Sequence, residues 1–146
     1  MTGLAGSGPE KAVGSGTAPL TVLVVDDSPV MRKMVTHALA LSGLPLAEVR
    51  EARDGQEALL SIASSPPDLV LCDIHMPTMD GAELLERLDC GGWTKTIPVV
   101  MITSERNTTT RERLTSFGAR GYLQKPFYPE ALGRVIRAVL GLAEET

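Results

Sequence analysis

Three strand-length apolar runs, Leu20–Val25 (LTVLVV), Asp68–Cys72 (DLVLC) and Ile97–Ile102 (IPVVMI), punctuate the chain. None alternates polar with apolar residues as a half-exposed strand would. Each therefore reads as a strand buried on both faces, which requires a parallel sheet covered by helices on each side. The segments between supply the helices. Ser28 and Pro29 form an N-cap and first-turn proline, followed by Met31, Met34, Val35, Ala38 and Leu41 at helical spacing, with Gly43 as the stop. Asp54-Gly55 precedes a helix carrying Ala58, Leu59 and Ile62, and Asp80–Glu83 reads as a capping box before Leu84, Leu85 and Leu88. A shorter strand is expected over Glu48–Ala52 and a last one over Gly121–Gln124. A polar helix is expected over Asn107–Phe117 and an amphipathic one over Pro129–Leu142.

Five strands alternating with five helices predict an α/β fold. With right-handed crossovers the favoured topology is the flavodoxin-like (βα)5 arrangement, a five-stranded parallel sheet of order 2-1-3-4-5 with helices on both faces. The length of 146 residues suits one such domain, expected over residues 20–142. Residues 1–19 hold five of the fourteen glycines and few large apolar groups, and read as a flexible tail. Residues 143–146 leave no room for an output domain in this sequence, so whatever the domain controls is expected to be another molecule.

Composition narrows the class further. A net charge of −4 without a basic run argues against nucleic acid or an anionic membrane surface as the main partner. No stretch reaches the ~18 apolar residues of a membrane span, and no secretory signal is visible. Two cysteines, Cys72 and Cys90, are too few for a disulfide framework and suit a reducing cytoplasm.

In a parallel sheet, ligands sit beyond the carboxyl ends of the strands, so the strand endings carry the functional information. The first strand ends in Asp26-Asp27, the third in Asp73, the fourth in Thr103-Ser104 and the fifth in Lys125-Pro126. Three carboxylates on one edge repel one another unless cations neutralise them. Lys125 is one cation, and a divalent ion with hard oxygen ligands, Mg²⁺, suits the remainder. Such a group favours phosphoryl transfer to a carboxylate, where positioning and charge neutralisation are the main requirements.

These residues resemble the receiver domain of two-component response regulators, most nearly the stand-alone chemotaxis-type regulators. The matching pieces are Val22–Asp27 (VLVVDD) with Ser28 and Met31-Arg32, Asp54-Gly55, Asp73–Pro77 (DIHMP) with Met79–Gly81, Pro98–Ile102 followed by Thr103-Ser104, Gly118-Ala119, and Lys125–Phe127 (KPF). The resemblance implies Asp73 as phosphoacceptor and Asp27 as a direct Mg²⁺ ligand. Asp26 would act largely through coordinated water, and His75 would lend its backbone carbonyl to the metal. It further implies Thr103 as the switch hydroxyl, Lys125 as the partner of the phosphoryl oxygens, a cis Lys125-Pro126 bond, and Tyr122 as the aromatic coupled to Thr103. His75 and Glu105 match positions that tune loss of the phosphoryl group. A histidine kinase would be the donor, and the face formed by the fourth helix, fifth strand and fifth helix would meet a protein target. The protein is expected to act as a monomer or a phosphorylation-dependent dimer. Two alternatives are a phosphorelay intermediate that passes the group to a histidine phosphotransfer protein, and an Asp-nucleophile phosphohydrolase. The second would want an Asp two residues after the nucleophile, where this chain has His75.

Overall fold

The computed structural model describes residues 18–142. The tail expected over residues 1–19 lies almost entirely outside the described residues, as do residues 143–146. The elements alternate as β1 (Leu20–Val25), α1 (Pro29–Leu41), β2 (Leu46–Ala52), α2 (Gly55–Ser64), β3 (Leu69–Asp73), α3 (Gly81–Cys90), β4 (Val99–Thr103), α4 (Thr108–Ser116), β5 (Gly121–Gln124) and α5 (Pro129–Leu140). All strand pairs are parallel, and the sheet order is β2-β1-β3-β4-β5. This is the flavodoxin-like order expected from the alternation.

Period-two alternation divides the sheet residues between two cores. Leu23, Val25, Val70, Cys72, Val99 and Met101 pack with α2, α3 and Leu114 of α4. Val22, Val24, Leu69, Leu71, Val100 and Ile102 pack with α1 and α5. Every residue of β3 and β4 is buried, as a strand between two helix layers requires.

The helix starts follow the sequence signals. Ser28 Oγ accepts from the Met31 amide, Asp54 from Glu57, Asp80 from Glu83, and Asn107 from Thr109 and Thr110.

Some boundaries differ from the periodicity, each for a local reason. Pro98 has no amide to donate, so β4 begins at Val99 instead of Ile97. Edge strand β2 begins two residues early, at Leu46, because the register slips between Leu20 and Thr21, leaving Ala47 unpaired. Asn107 caps α4 from outside it, α5 stops at Gly141 in the left-handed region, and Trp93–Lys95 form a 3₁₀ turn that no apolar periodicity announces.

Candidate functional site

All five strands deliver their C-terminal ends to one edge, and three of them bring the charges. Asp26 and Asp27 follow β1, Asp73 closes β3, and Lys125 follows β5. Carboxylate oxygens of Asp26, Asp27 and Asp73 all lie within 4.8 Å of one another. Lys125 Nζ stands 3.5 Å from Asp26 Oδ2 and 3.4 Å from Asp73 Oδ1. Asp26 is buried, Asp73 is 9% exposed and Asp27 faces solvent.

Asp26 is held on several sides. Its Oδ1 accepts from the Ser28 amide at 2.9 Å, and its own amide donates to Ala52 at 3.1 Å. Its carbonyl accepts from Arg32 Nη1 at 2.7 Å, while Arg32 Nε reaches Glu51 Oε1 at 2.6 Å. In the sequence Arg32 stands only within a motif shared with the receiver family. Its tie to the loop after β1 depends on β2 lying alongside, which helical spacing does not show.

Burial pushes the Asp73 carboxyl above the ordinary aspartate range. Lys125 pulls it back down and Asp26 adds to the rise. A carboxylate largely shielded from solvent, beside one ammonium and two other acids, is a site with more negative charge than its own cation neutralises. The donor set, hard oxygens with one face open at Asp27, fits a small divalent ion better than a structural soft metal.

Two further features shape this edge. Gly81 packs so closely on the loop after β3 that a Cβ there would overlap the Asp73 carbonyl oxygen. Its amide donates to the Ile74 carbonyl at 2.7 Å, closing the loop onto α3. Within that loop the exposed Thr78 adopts a positive φ of 69°, a costly backbone for a β-branched residue. The Lys125-Pro126 bond is cis, as expected.

Thr103 ends β4 fully buried, and its Oγ1 accepts from the Glu105 amide at 3.1 Å. The Glu105 carboxylate then bridges two segments: Oε1 meets His75 Nε2 at 3.1 Å and Oε2 accepts from Thr110 Oγ1 at 3.2 Å. His75 and Glu105, thirty residues apart, are thus direct partners across the mouth of the site. Tyr122 lies on β5 against the same core layer as Met101 and Leu114. Its hydroxyl is buried without a hydrogen-bond partner, and its ring sits 4.7 Å below the Arg111 guanidinium. Burial, with Glu105 nearby, pushes its phenol above the ordinary range.

Beside Lys125 an apolar groove of about 450 Å³ opens between α1 and the loop before α5, walled by Met31, Met34, Ala38, Pro126 and Phe127. Cys72 is buried and its thiol is pushed far up by burial and the nearby carboxylates, so it has no reactive character. Cys90 is exposed on the far end of α3.

A (βα)5 sheet with an acid cluster and a lysine at its carboxyl edge defines a receiver of two-component signalling. Residues 22–137 match the response regulator receiver domain family, and the chain belongs to it. It is similar to the response regulator MprA of Mycolicibacterium vanbaalenii, at 37% identity over 122 residues, covering 84% of this chain and 51% of the relative. It is also similar to the phosphate regulon transcriptional regulatory protein PhoB of Pseudomonas aeruginosa, at 36% over 120 residues, covering 82% and 51%. The chain therefore spans about half the length of these curated relatives. Among solved structures it resembles the Vibrio cholerae chemotaxis protein CheY4, with a TM-score of 0.75 and 36% identity over 84% of this chain and 99% of that one. A response regulator from Chloroflexus aurantiacus gives a TM-score of 0.77 at 35% identity, over 85% and 99%. Among the described residues no helix is long and apolar enough to cross a membrane.

Proposed function

We propose that the chain is a phosphorylation-dependent switch in which Asp73 accepts a phosphoryl group from a histidine kinase. The observation that carries this reading is the placement of Lys125 3.4 Å from Asp73, with Asp26 and Asp27 completing an oxygen cluster. An Asp73 carboxylate oxygen attacks phosphorus as the donor's P–N bond breaks, and the imidazole leaves with the electron pair. Lys125 holds the incoming oxygens in line and offsets their charge. Asp26, Asp27, Asp73 and the His75 carbonyl would hold Mg²⁺, which when bound supplies the additional positive charge that phosphoryl transfer demands.

The switch half of the reading rests on Thr103 and Tyr122. In this arrangement Thr103 Oγ1 is engaged by the Glu105 amide. A phosphoryl oxygen at Asp73 competes for that hydroxyl, and its departure frees the loop after β4 and opens space for the Tyr122 ring. The α4–β5–α5 face is the surface so altered. Helix α4 buries only Leu114 and otherwise presents polar residues, so few apolar contacts resist its displacement. His75 and Glu105 stand where water must approach the phosphoryl group, and their pairing sets how long it lasts.

The test is incubation with acetyl phosphate, a small phosphodonor, with and without Mg²⁺. The native chain takes up label only with Mg²⁺ and Asp73→Asn takes none. A native chain that stays unlabelled overturns the proposal.

A further inference from the structure

We propose that the α4–β5–α5 face reads an acidic segment of a partner protein through unpaired arginines, with Arg111 coupled to the switch through Tyr122. This names the partner class for the switch read above and rests on that reading for its gating alone.

Charge is divided unevenly along the chain. Residues 18–103 contain six lysines and arginines against twelve carboxylates, whereas residues 104–142 contain seven against three. Pairing differs in the same sense. In the first stretch Arg32, Arg50, Arg53 and Arg87 each have a carboxylate within 4 Å: Glu51, Glu48, Glu57 and Glu83. In the second, Lys125 is engaged by Asp26 and Asp73 in the site. Among the described residues Arg106, Arg111 and Arg134 are exposed and no carboxylate pairs with them. They lie in the loop before α4, on α4 and on α5, the helices that cover the two faces of the sheet beside its edge strand β5. The one carboxylate near the start of α4 that could answer them, Glu105, is committed to His75 and Thr110.

A guanidinium presents a rigid fork suited to a carboxylate, and an exposed one without a carboxylate partner is free to take one from another protein. Elsewhere on this molecule two arginines are answered at four-residue spacing, Arg53 just ahead of α2 by Glu57 and Arg87 within α3 by Glu83. On α5 Glu130 stands at the same spacing from Arg134, yet no ion pair forms between them. The anion is a protein segment, not nucleic acid, on two grounds. The chain as a whole carries −4, which opposes a long polyanion, and Glu112 and Glu130 interrupt the arginines. A short acidic segment stays within one screening length, ~8 Å at physiological salt, and meets only the local positive field.

Arg111 ties this surface to the switch. Its guanidinium lies 4.7 Å over the Tyr122 ring, which competes with an incoming carboxylate for the same cation. When the ring turns inward to fill the space left by Thr103, Arg111 loses its seat and faces the partner. Phosphorylation then strengthens binding without adding a residue to the face.

The experiment measures fluorescence anisotropy of a labelled synthetic peptide rich in Asp and Glu. A Gln/Asn-substituted counterpart and a short DNA duplex serve as comparisons, all at physiological salt. Binding of the acidic peptide to the unphosphorylated chain is expected to weaken about threefold or more in Arg106→Gln and in Arg134→Gln, as loss of one charge contact implies, and Arg111→Gln is expected to lose the gain that phosphorylation brings. It stays unchanged in Arg53→Gln, whose partner is Glu57. Acetyl phosphate with Mg²⁺ tightens binding about threefold or more in the native chain and has no effect in Asp73→Asn. Equal loss in Arg53→Gln, tighter binding of the duplex or of the neutral peptide, or no binding at all overturns the proposal. If the native chain takes no phosphoryl label while the arginine dependence holds, the switch reading fails and the acidic-partner face stands. If label is taken but affinity does not rise, the Tyr122 coupling is wrong.

Discussion

Lys125 Nζ and Asp73 Oδ1 stand 3.4 Å apart, although 52 residues separate them and β4 runs between their strands. The ammonium is also 3.5 Å from Asp26. One cation thus spans two carboxylates that are both mostly removed from water. Its loss should be felt at once. Lys125→Ala is expected to lower thermal stability in metal-free buffer by several degrees, because buried charge left without its partner is costly. Mg²⁺ should restore part of that stability without restoring phosphorylation, read by a thermal melt beside a labelling assay.

Asp73→Asn has the opposite sign. A carboxyl raised by burial holds its proton more tightly folded than unfolded, so its ionised form opposes folding at neutral pH. The amide removes that opposition along with repulsion from Asp26. The variant is expected to melt a few degrees above the native chain in metal-free buffer, and Mg²⁺ should narrow the gap by stabilising the native cluster. A lower melting point in metal-free buffer would show that the Lys125 contact outweighs burial.

Thr78 occupies a left-handed backbone in the loop that follows Asp73. Asn tolerates that region far better than a β-branched residue. Thr78→Asn should therefore stabilise the domain by about 0.5–1 kcal/mol in a denaturant titration. The side chain is exposed, so no packing loss offsets the gain.

Glu105→Ala removes the bridge from the loop after β4 to both His75 and Thr110. His75→Ala removes one arm of it. Each should change the half-life of the phosphorylated chain, with the larger change in Glu105→Ala, because it also loosens α4. Unchanged half-lives in both variants, followed by loss of radiolabel, would rule out a tuning role for the pair.

How much of this was legible in the sequence depends on which interactions set each feature. The parallel sheet was legible in the buried apolar runs, which lack the alternation of a half-exposed strand, and its order in the right-handed crossovers that join them. The grouping of Asp26, Asp27, Asp73 and Lys125 was legible in the strand ends, since parallel strands share one edge. What periodicity missed came from tertiary contact: the Arg32 tie to Asp26 and Glu51, the Glu105 bridge, and Arg111 over Tyr122. Those partners lie on different elements, and neither spacing nor composition brings them together. The slip that leaves Ala47 unpaired is likewise a property of the β1–β2 pair and not of either strand.

In the proposed switch, chemistry at Asp73 is transmitted to Thr103, Tyr122 and α4. Amide and tyrosine-ring NMR spectra taken before and after acetyl phosphate with Mg²⁺ test it most directly. The predicted result is a set of shifts at Thr103, Glu105, Tyr122 and residues 108–116 that appears in the native chain and is absent in Asp73→Asn. Phosphorylation at Asp73 that leaves Tyr122 and α4 unshifted would contradict it.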